Sequence, residues 1–364
     1  MVLAQKMRVP AGAPVPFWLA VKNKFPVFQR FSRPSLGTVA VVVTLIITGA
    51  AVSAVTVYPK VNHDYYKQAQ KEERALLRAT KEELAHGQNV WKDPFVAIFL
   101  VLEELCMRTN LMTSINENLL CLKNLVELNF YENQITEIAN LEPLVSLKRL
   151  DLSFNRIREI KGLSTLKNLT HLYLVHNKIP VIENLDSLTA LELLELGDNR
   201  IKKIENLSNL KNLRELYLGK NKIREIEGLS DLVNLRVFSL PGNRIVKIEN
   251  IDNLTELEEL YISEQGLTNL AGLSNSKKLK ILDVAKNEIT TTEGIENLTA
   301  LEDFWANDNR IESWTEVDRL RALPVLDTVY LEQNPIYTAD RTGYRRKVML
   351  ALPQVNQIDA TMCK

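Results

Sequence analysis

Asparagines recur along this chain at one fixed interval. Asn133, Asn155, Asn177, Asn199, Asn221 and Asn243 stand 22 residues apart, and Asn287 and Asn309 keep the same register. Around each the text reads L-x-x-L-x-L-x-x-N-x-I-x-x-I. Leu147, Leu150, Leu152, Asn155, Ile157 and Ile160 make one unit; Leu213, Leu216, Leu218, Asn221, Ile223 and Ile226 make another. An earlier unit sits at Leu102, Leu105, Met107, Asn110, Met112 and Ile115, and a late one ends at Asn334 after three extra residues. A period of this length means stacked units, none of which can bury its apolar face alone. Each L-x-L should add one strand to a parallel sheet. The Leu and Ile side chains should fill a continuous core, and each Asn should bond the backbone of neighbouring turns. At Gln265 the register asks for Asn, and with Gly266 beside it a local irregularity is expected.

This is the pattern of leucine-rich repeats. The fold expected is an α/β leucine-rich-repeat solenoid with a parallel concave sheet and a C-terminal cap, preceded by a single transmembrane helix and a charged helical linker. The divisions are a basic, targeting-like leader over 1–34, a membrane span over 35–59 and a linker and junction over 60–98. The repeats then occupy 99–338 and the cap 339–364. In the cap, Tyr344 to Pro353 (YRRKVMLALP) is followed by Val355, Ile358 and Asp359. Val348, Leu350 and Leu352 are expected to fold over the last coil, because an open repeat shows its core to water.

Charge divides the chain. The 364 residues hold 45 basic and 45 acidic side chains. Residues 1–95 take 13 basic and 6 acidic of them, a net of +7, which leaves 32 and 39 for the rest, a net of −7. An acidic repeat region repels phosphate, so no nucleic-acid partner is expected. The leader carries Lys6, Arg8, Lys22, Lys24, Arg30 and Arg33 with no acid, and no charge follows between Ser35 and Pro59. Thr38–Tyr58 is long and apolar enough to span a bilayer as a helix, although its Val and Thr content also suits buried strands. Cys106, Cys121 and Cys363 have no paired spacing, which argues against a disulfide framework. The four histidines complete no metal site. No Gly-rich phosphate loop, H-E-x-x-H or G-x-S-x-G is present, so neither an enzyme nor a cofactor is expected.

Side chains alternate along a strand, so the middle x of L-x-L should face out of the concave sheet. Down the array these positions read Cys106, Asn129, Asp151, Tyr173, Glu195, Tyr217, Ser239, Tyr261, Asp283, Trp305 and Tyr330, with Asp303 the outward residue preceding Trp305. Rings and carboxylates alternate along one ribbon. Aromatic side chains are enriched at binding hot spots, and the carboxylates call for a basic partner.

Two resemblances extend this reading. LDLSFN, LELGDNRI, LYLGKNKI, DFWANDN, TVYLEQNP and YRRKVMLALPQVNQIDAT resemble the protein phosphatase 1 regulatory subunit 7 family from about Leu102 to the end. The resemblance implies a noncatalytic subunit of nucleus and cytoplasm. Its concave face would grip the phosphatase catalytic subunit, with a further inhibitor protein as a second partner. Asp151, Glu195, Asp283, Trp305 and Tyr330 match the family's contact residues. Tyr173 and Tyr217 stand where Phe is familiar, and Asp303 where Glu is. Tyr261 belongs to the same ribbon.

The second resemblance covers residues 40–95. TGAAVSAVTVYP, YYKQAQKEER and VWKDPF look like a small single-span mitochondrial inner-membrane protein of cytochrome c oxidase assembly, as if two chains were fused. The alternative function is therefore a membrane-anchored assembly factor with the repeats as a fused binding module. Other short leucine-rich proteins bind spliceosomal, histone or tubulin-related partners; the YRRKVMLALP cap and the Trp305 strand favour the phosphatase.

Overall fold

The computed structural model describes residues 102–363. Eleven three-residue strands follow one another in one parallel sheet. They are β1 (Glu104–Cys106), β2 (Glu127–Asn129), β3 (Arg149–Asp151), β4 (His171–Tyr173), β5 (Leu193–Glu195), β6 (Glu215–Tyr217), β7 (Val237–Ser239), β8 (Glu259–Tyr261), β9 (Ile281–Asp283), β10 (Asp303–Trp305) and β11 (Thr328–Tyr330). Each returns to the next through a turn-rich convex path. There, bonds such as Leu166 N–H to Leu163 O and Leu169 N–H to Leu166 O, both 3.0 Å, tighten the chain at every third residue.

The central residue of each strand from β2 onward points into the core and is buried, as at Leu150, Leu172, Leu194 and Leu216, each 0% exposed. The following Leu and the two Ile of every unit join it in one continuous apolar cluster along the solenoid. Truncating one such Leu to Ala costs about 2–5 kcal/mol, since the stacked turns cannot collapse onto the gap.

The asparagines form the expected ladder. Asn155 Nδ2 donates to Phe130 O of the previous turn and to Leu152 O of its own, both at 3.0 Å, while its Oδ1 accepts from Ile135 N–H at 2.9 Å. Asn177, Asn199, Asn221, Asn287 and Asn309 repeat this set while buried. At Gln265 the irregularity is confined to the side chain. Its longer amide keeps both links to the previous turn, with Ile245 N–H at 2.9 Å and Leu240 O at 2.6 Å. It reaches past the carbonyl three residues back that every Asn bonds, and the strand register runs on unbroken.

The three extra residues before Asn334 make room for helix α1 (Trp314–Arg319), capped by Ser313, whose side chain accepts from Thr315 N–H. Helix α2 (Pro335–Ala339) and helix α3 (Tyr344–Ala351) follow. Then β12 (Gln357–Ile358) joins the sheet parallel to β11, and β13 (Thr361–Met362) turns back antiparallel. Asp359, beside Tyr330 in the register, ties the cap to the last coil. It accepts from Leu331 N–H at 2.9 Å and Glu332 N–H at 3.1 Å. Arg345 fastens the closing hairpin by donating to the carbonyls of Ile358, Thr361 and Met362 at 3.0, 3.1 and 2.7 Å.

Two expectations need correction. Val348 and Leu352 cover the last coil, at 0% and 1% exposure, but Leu350 is 72% exposed. The segment is helical, so its inner face is Tyr344, Val348 and Leu352, a helical spacing, not every second residue. The transmembrane helix is the second. Among the described residues no helix is long and apolar enough to cross a membrane. The longest, α3, has eight residues and rises about 12 Å, against a hydrocarbon core of about 30 Å. The supported fold is a leucine-rich-repeat solenoid with a C-terminal cap. The leader over 1–34, the span Thr38–Tyr58 and the linker and junction over 60–98 all lie outside the described residues.

Candidate protein-binding face

The parallel register places the outward residues side by side. Paired neighbour to neighbour across the strands run Cys106, Asn129, Asp151, Tyr173, Glu195, Tyr217, Ser239, Tyr261, Asp283, Trp305 and Tyr330. From Asn129 onward all are half-buried, held between flanking side chains yet open on the concave side. Asp303 lies one column over, between Ile281 and Thr328. All nine expected contact residues thus share one face.

The column two residues upstream in each strand shares that face, since i and i+2 point the same way. It supplies groups the sequence reading passed over. Tyr217 donates to Glu215 and Tyr261 to Glu259. Arg149 reaches from β3 to the Tyr173 hydroxyl at 3.3 Å and to Glu127 at 3.5 Å. The hydroxyls that Tyr173 and Tyr217 add are therefore bonded within the fold. Glu127, Asn129, Arg149, Asp151 and Tyr173 line a shallow hollow at this end.

Charge is held under tension along the row. Burial, then the field of Asp151, raises the Glu195 carboxyl above its ordinary range. Burial raises Asp283 as well, against hydrogen bonds from Ala285 N–H at 3.0 Å and Ser263 Oγ at 2.8 Å. Toward the cap the rings close up. Trp305 lies 6.2 Å from Tyr261 and 6.0 Å from Tyr330, the latter edge-on. Trp305 Nε1 is buried with no acceptor, whereas Gln357 Nε2 donates to the Tyr330 hydroxyl at 2.9 Å. Among the described residues no group of three or more His, Cys, Asp and Glu is placed to hold a metal ion. The face is an array of half-buried rings and carboxylates.

Fold and face define a leucine-rich-repeat solenoid with a furnished concave sheet. The family description "Leucine Rich repeats (2 copies)" matches residues 145–190 and 189–231, and "Leucine-rich repeat" matches 234–364. Among individual proteins, the chain is 65% identical over 37 residues to a Caenorhabditis elegans "Protein phosphatase 1 regulatory subunit SDS22 homolog". It is 46% identical over 67 residues to the Saccharomyces cerevisiae "Protein phosphatase 1 regulatory subunit SDS22". These stretches cover 10% and 18% of this chain, and only 11% and 20% of those relatives. Among solved structures, a leucine-rich-repeat protein of Leptospira interrogans is similar at 25% identity and TM-score 0.58, covering 70% of this chain and 72% of that one. An internalin of Listeria monocytogenes, at 24% identity and TM-score 0.52 over 73% of this chain and 89% of its own, shares the fold.

These matches support partial likeness, over the repeats, to phosphatase 1 regulatory subunits. They give no support to a fused mitochondrial membrane segment. The resemblance over 40–95 rested on residues outside the described part and on a span that no described helix provides. The fusion is withdrawn, and with it the membrane partner and the mitochondrial location.

Proposed function

We propose that this chain is a noncatalytic regulatory subunit whose concave row binds the catalytic subunit of protein phosphatase 1. The observation that carries the reading is the register itself. It sets Asp151, Tyr173, Glu195, Tyr217, Tyr261, Asp283, Trp305 and Tyr330 on one continuous face, with Asp303 beside them. Rings at 6 Å spacing give large contact area at little ordering cost, and the carboxylates select a basic surface. The likeness to phosphatase 1 regulatory subunits supports the choice of partner.

The test is capture of the purified catalytic subunit by the full chain, beside Trp305→Ala combined with Glu195→Ala. The wild type should capture and the double variant should lose at least tenfold in affinity, with an unchanged circular-dichroism melt. Failure of a folded wild type to capture the catalytic subunit would reject this reading.

A further inference from the structure

One outward position of each repeat lies directly after the ladder Asn and before a buried Ile. Over five consecutive repeats it holds Arg156, Lys178, Arg200, Lys222 and Arg244; Gln134 precedes the run and Gly266 ends it. The backbone stacks these residues in register. Lys178 N–H donates to Ile157 O at 2.8 Å, Arg200 N–H to Ile179 O at 2.9 Å and Lys222 N–H to Ile201 O at 2.8 Å. Each cation therefore follows the last at about 4.8 Å, the spacing of neighbouring strands. Lys178 is half-buried and the other four are exposed. A second column stands two residues on, where Arg158, Lys202 and Arg224 are exposed beyond the buried Ile157, Ile201 and Ile223.

Like charges set directly beside one another in a sheet are destabilising. Elsewhere on the solenoid cations pair with a carboxylate one turn away, as Lys278 does with Glu256 at 2.7 Å and Lys280 with Glu258 at 2.6 Å. The same column does so further on, where Glu288 and Arg310 pair at 3.1 Å. Within the run the neighbour one turn away is another cation, and none of the eight forms an ion pair among the described residues. The run is not the overflow of a basic domain, because the residues from 96 onward carry a net charge of −7. The unpaired charge has its counterpart outside the fold.

We propose that this stripe is a second docking surface, and that it takes an acidic, extended segment of a partner protein. Charge complementarity sets the sign of the occupant. Width sets its class. The margins carry Asp198, bonded to His176, Glu159, bonded to Lys161, and the unpaired Glu225. An occupant wider than one strand would meet these acids and the carboxylates of the concave row. Four steps of about 4.8 Å span about 19 Å, the length of about six extended residues. Each exposed pair contributes little alone, so several rungs must act together. The stripe shares no side chain with the concave row, and it does not rest on phosphatase binding.

The probe is a fluorescein-labelled, amidated peptide of four Glu-Ser units, titrated into the full chain by anisotropy at low ionic strength. Beside it run its Gln-Ser counterpart and a five-nucleotide thymidine strand, which carries the same four charges. The basic first 95 residues are present in every variant, so the difference between variants reads the stripe. The Glu peptide should bind at least tenfold more tightly than the Gln peptide. Arg200→Gln with Lys222→Gln should weaken it at least fivefold and leave the melting temperature unchanged or higher, because repulsion is relieved. Lys278→Gln with Lys280→Gln removes the same charge from paired sites and should leave binding within twofold. No binding, equal binding of the Gln peptide, or equal effects of the two double variants would overturn the proposal. Tighter binding of the thymidine strand would overturn the choice of a protein segment. If the first double variant melts lower than wild type, Arg156→Gln with Arg244→Gln decides. A fivefold loss in that folded variant upholds the stripe, and binding like wild type overturns it. Phosphatase capture is not read by this titration, so the two proposals fail separately.

Discussion

Tyr217 donates its hydroxyl to Glu215 Oε2 at 2.9 Å within β6, and two strands on Tyr261 makes the same bond to Glu259 at 2.8 Å. Each pair is i and i+2 of one strand, so both members face the concave side. Burial first, then the bonded carboxylate, raises both phenols well above the ordinary tyrosine range, so they remain donors throughout the neutral range. Tyr217→Phe keeps the ring and removes one half-exposed bond. We expect a loss of about 0.5–1.5 kcal/mol of stability by urea melt. Phosphatase capture should stay within about threefold; a tenfold loss, about 1.4 kcal/mol, would mean that the hydroxyl–carboxylate pair is itself a contact.

Glu195 sets stability against binding. Its carboxyl is raised by burial and by Asp151, so the folded state holds that proton more tightly than the unfolded chain does. The contribution to stability is complete below the unfolded value, about 4.3, and is lost as pH rises through the folded value. Wild type minus Glu195→Gln stability should therefore fall between pH 4 and pH 7. At pH 7 the Gln variant should be at least as stable, the difference within about 0.5 kcal/mol, while it binds phosphatase more weakly. Urea melts at the two pH values check the sign; a difference that grows with pH would refute the burial argument.

The asparagine ladder predicts opposite effects at two rungs. Asn177→Ala leaves Ile157 N–H without a partner in a buried site, while Leu152 O keeps the bond from Asn155 Nδ2. One orphaned buried donor costs about 1–3 kcal/mol, and a loss of that size is expected. Gln265→Asn should do the reverse. It keeps the links to Ile245 and Leu240 and gains the bond to its own turn, for about 0.5–1 kcal/mol of added stability. Chemical denaturation of the two variants beside wild type measures both. A destabilised Gln265→Asn would show that the wider rung is needed locally.

The repeat period exposes most of this architecture in the sequence. Because every unit solves the same burial problem, one reading of L-x-L locates the strand and its outward residue at eleven places and its buried centre at ten. The method fails where a residue obeys a different period. Leu350 looks inward on a strand alternation but lies on a helix. Glu215 and Glu259 were legible from the same-face rule that had picked out Asp303, yet they read as ordinary surface charge. The unsatisfied Trp305 Nε1 follows from packing of three rings that are 22 or more residues apart in sequence.

A second ladder on the opposite side of each turn gives the last prediction. One position per unit takes a positive φ and holds either Asn or Gly, as at Asn184, Asn206, Gly228 and Asn250. Where it is Asn, Nδ2 donates to an Ile carbonyl of the previous turn: Asn206 to Ile182 and Asn250 to Ile226, both at 2.7 Å. Where it is Gly, the backbone itself closes in. A Cβ on Gly228 would stand 2.4 Å from Ile204 O, and its φ is +68°. Gly228→Ala must therefore displace backbone and accept left-handed strain, at about 2–3 kcal/mol. Gly228→Asn meets the same crowding, but Asn tolerates this conformation and can recover the bond to Ile204 O that its neighbours make. We expect it to cost at least about 1 kcal/mol less than Ala. Equal losses in urea melts would show that the close approach, and not the missing polar link, decides which residue the position accepts.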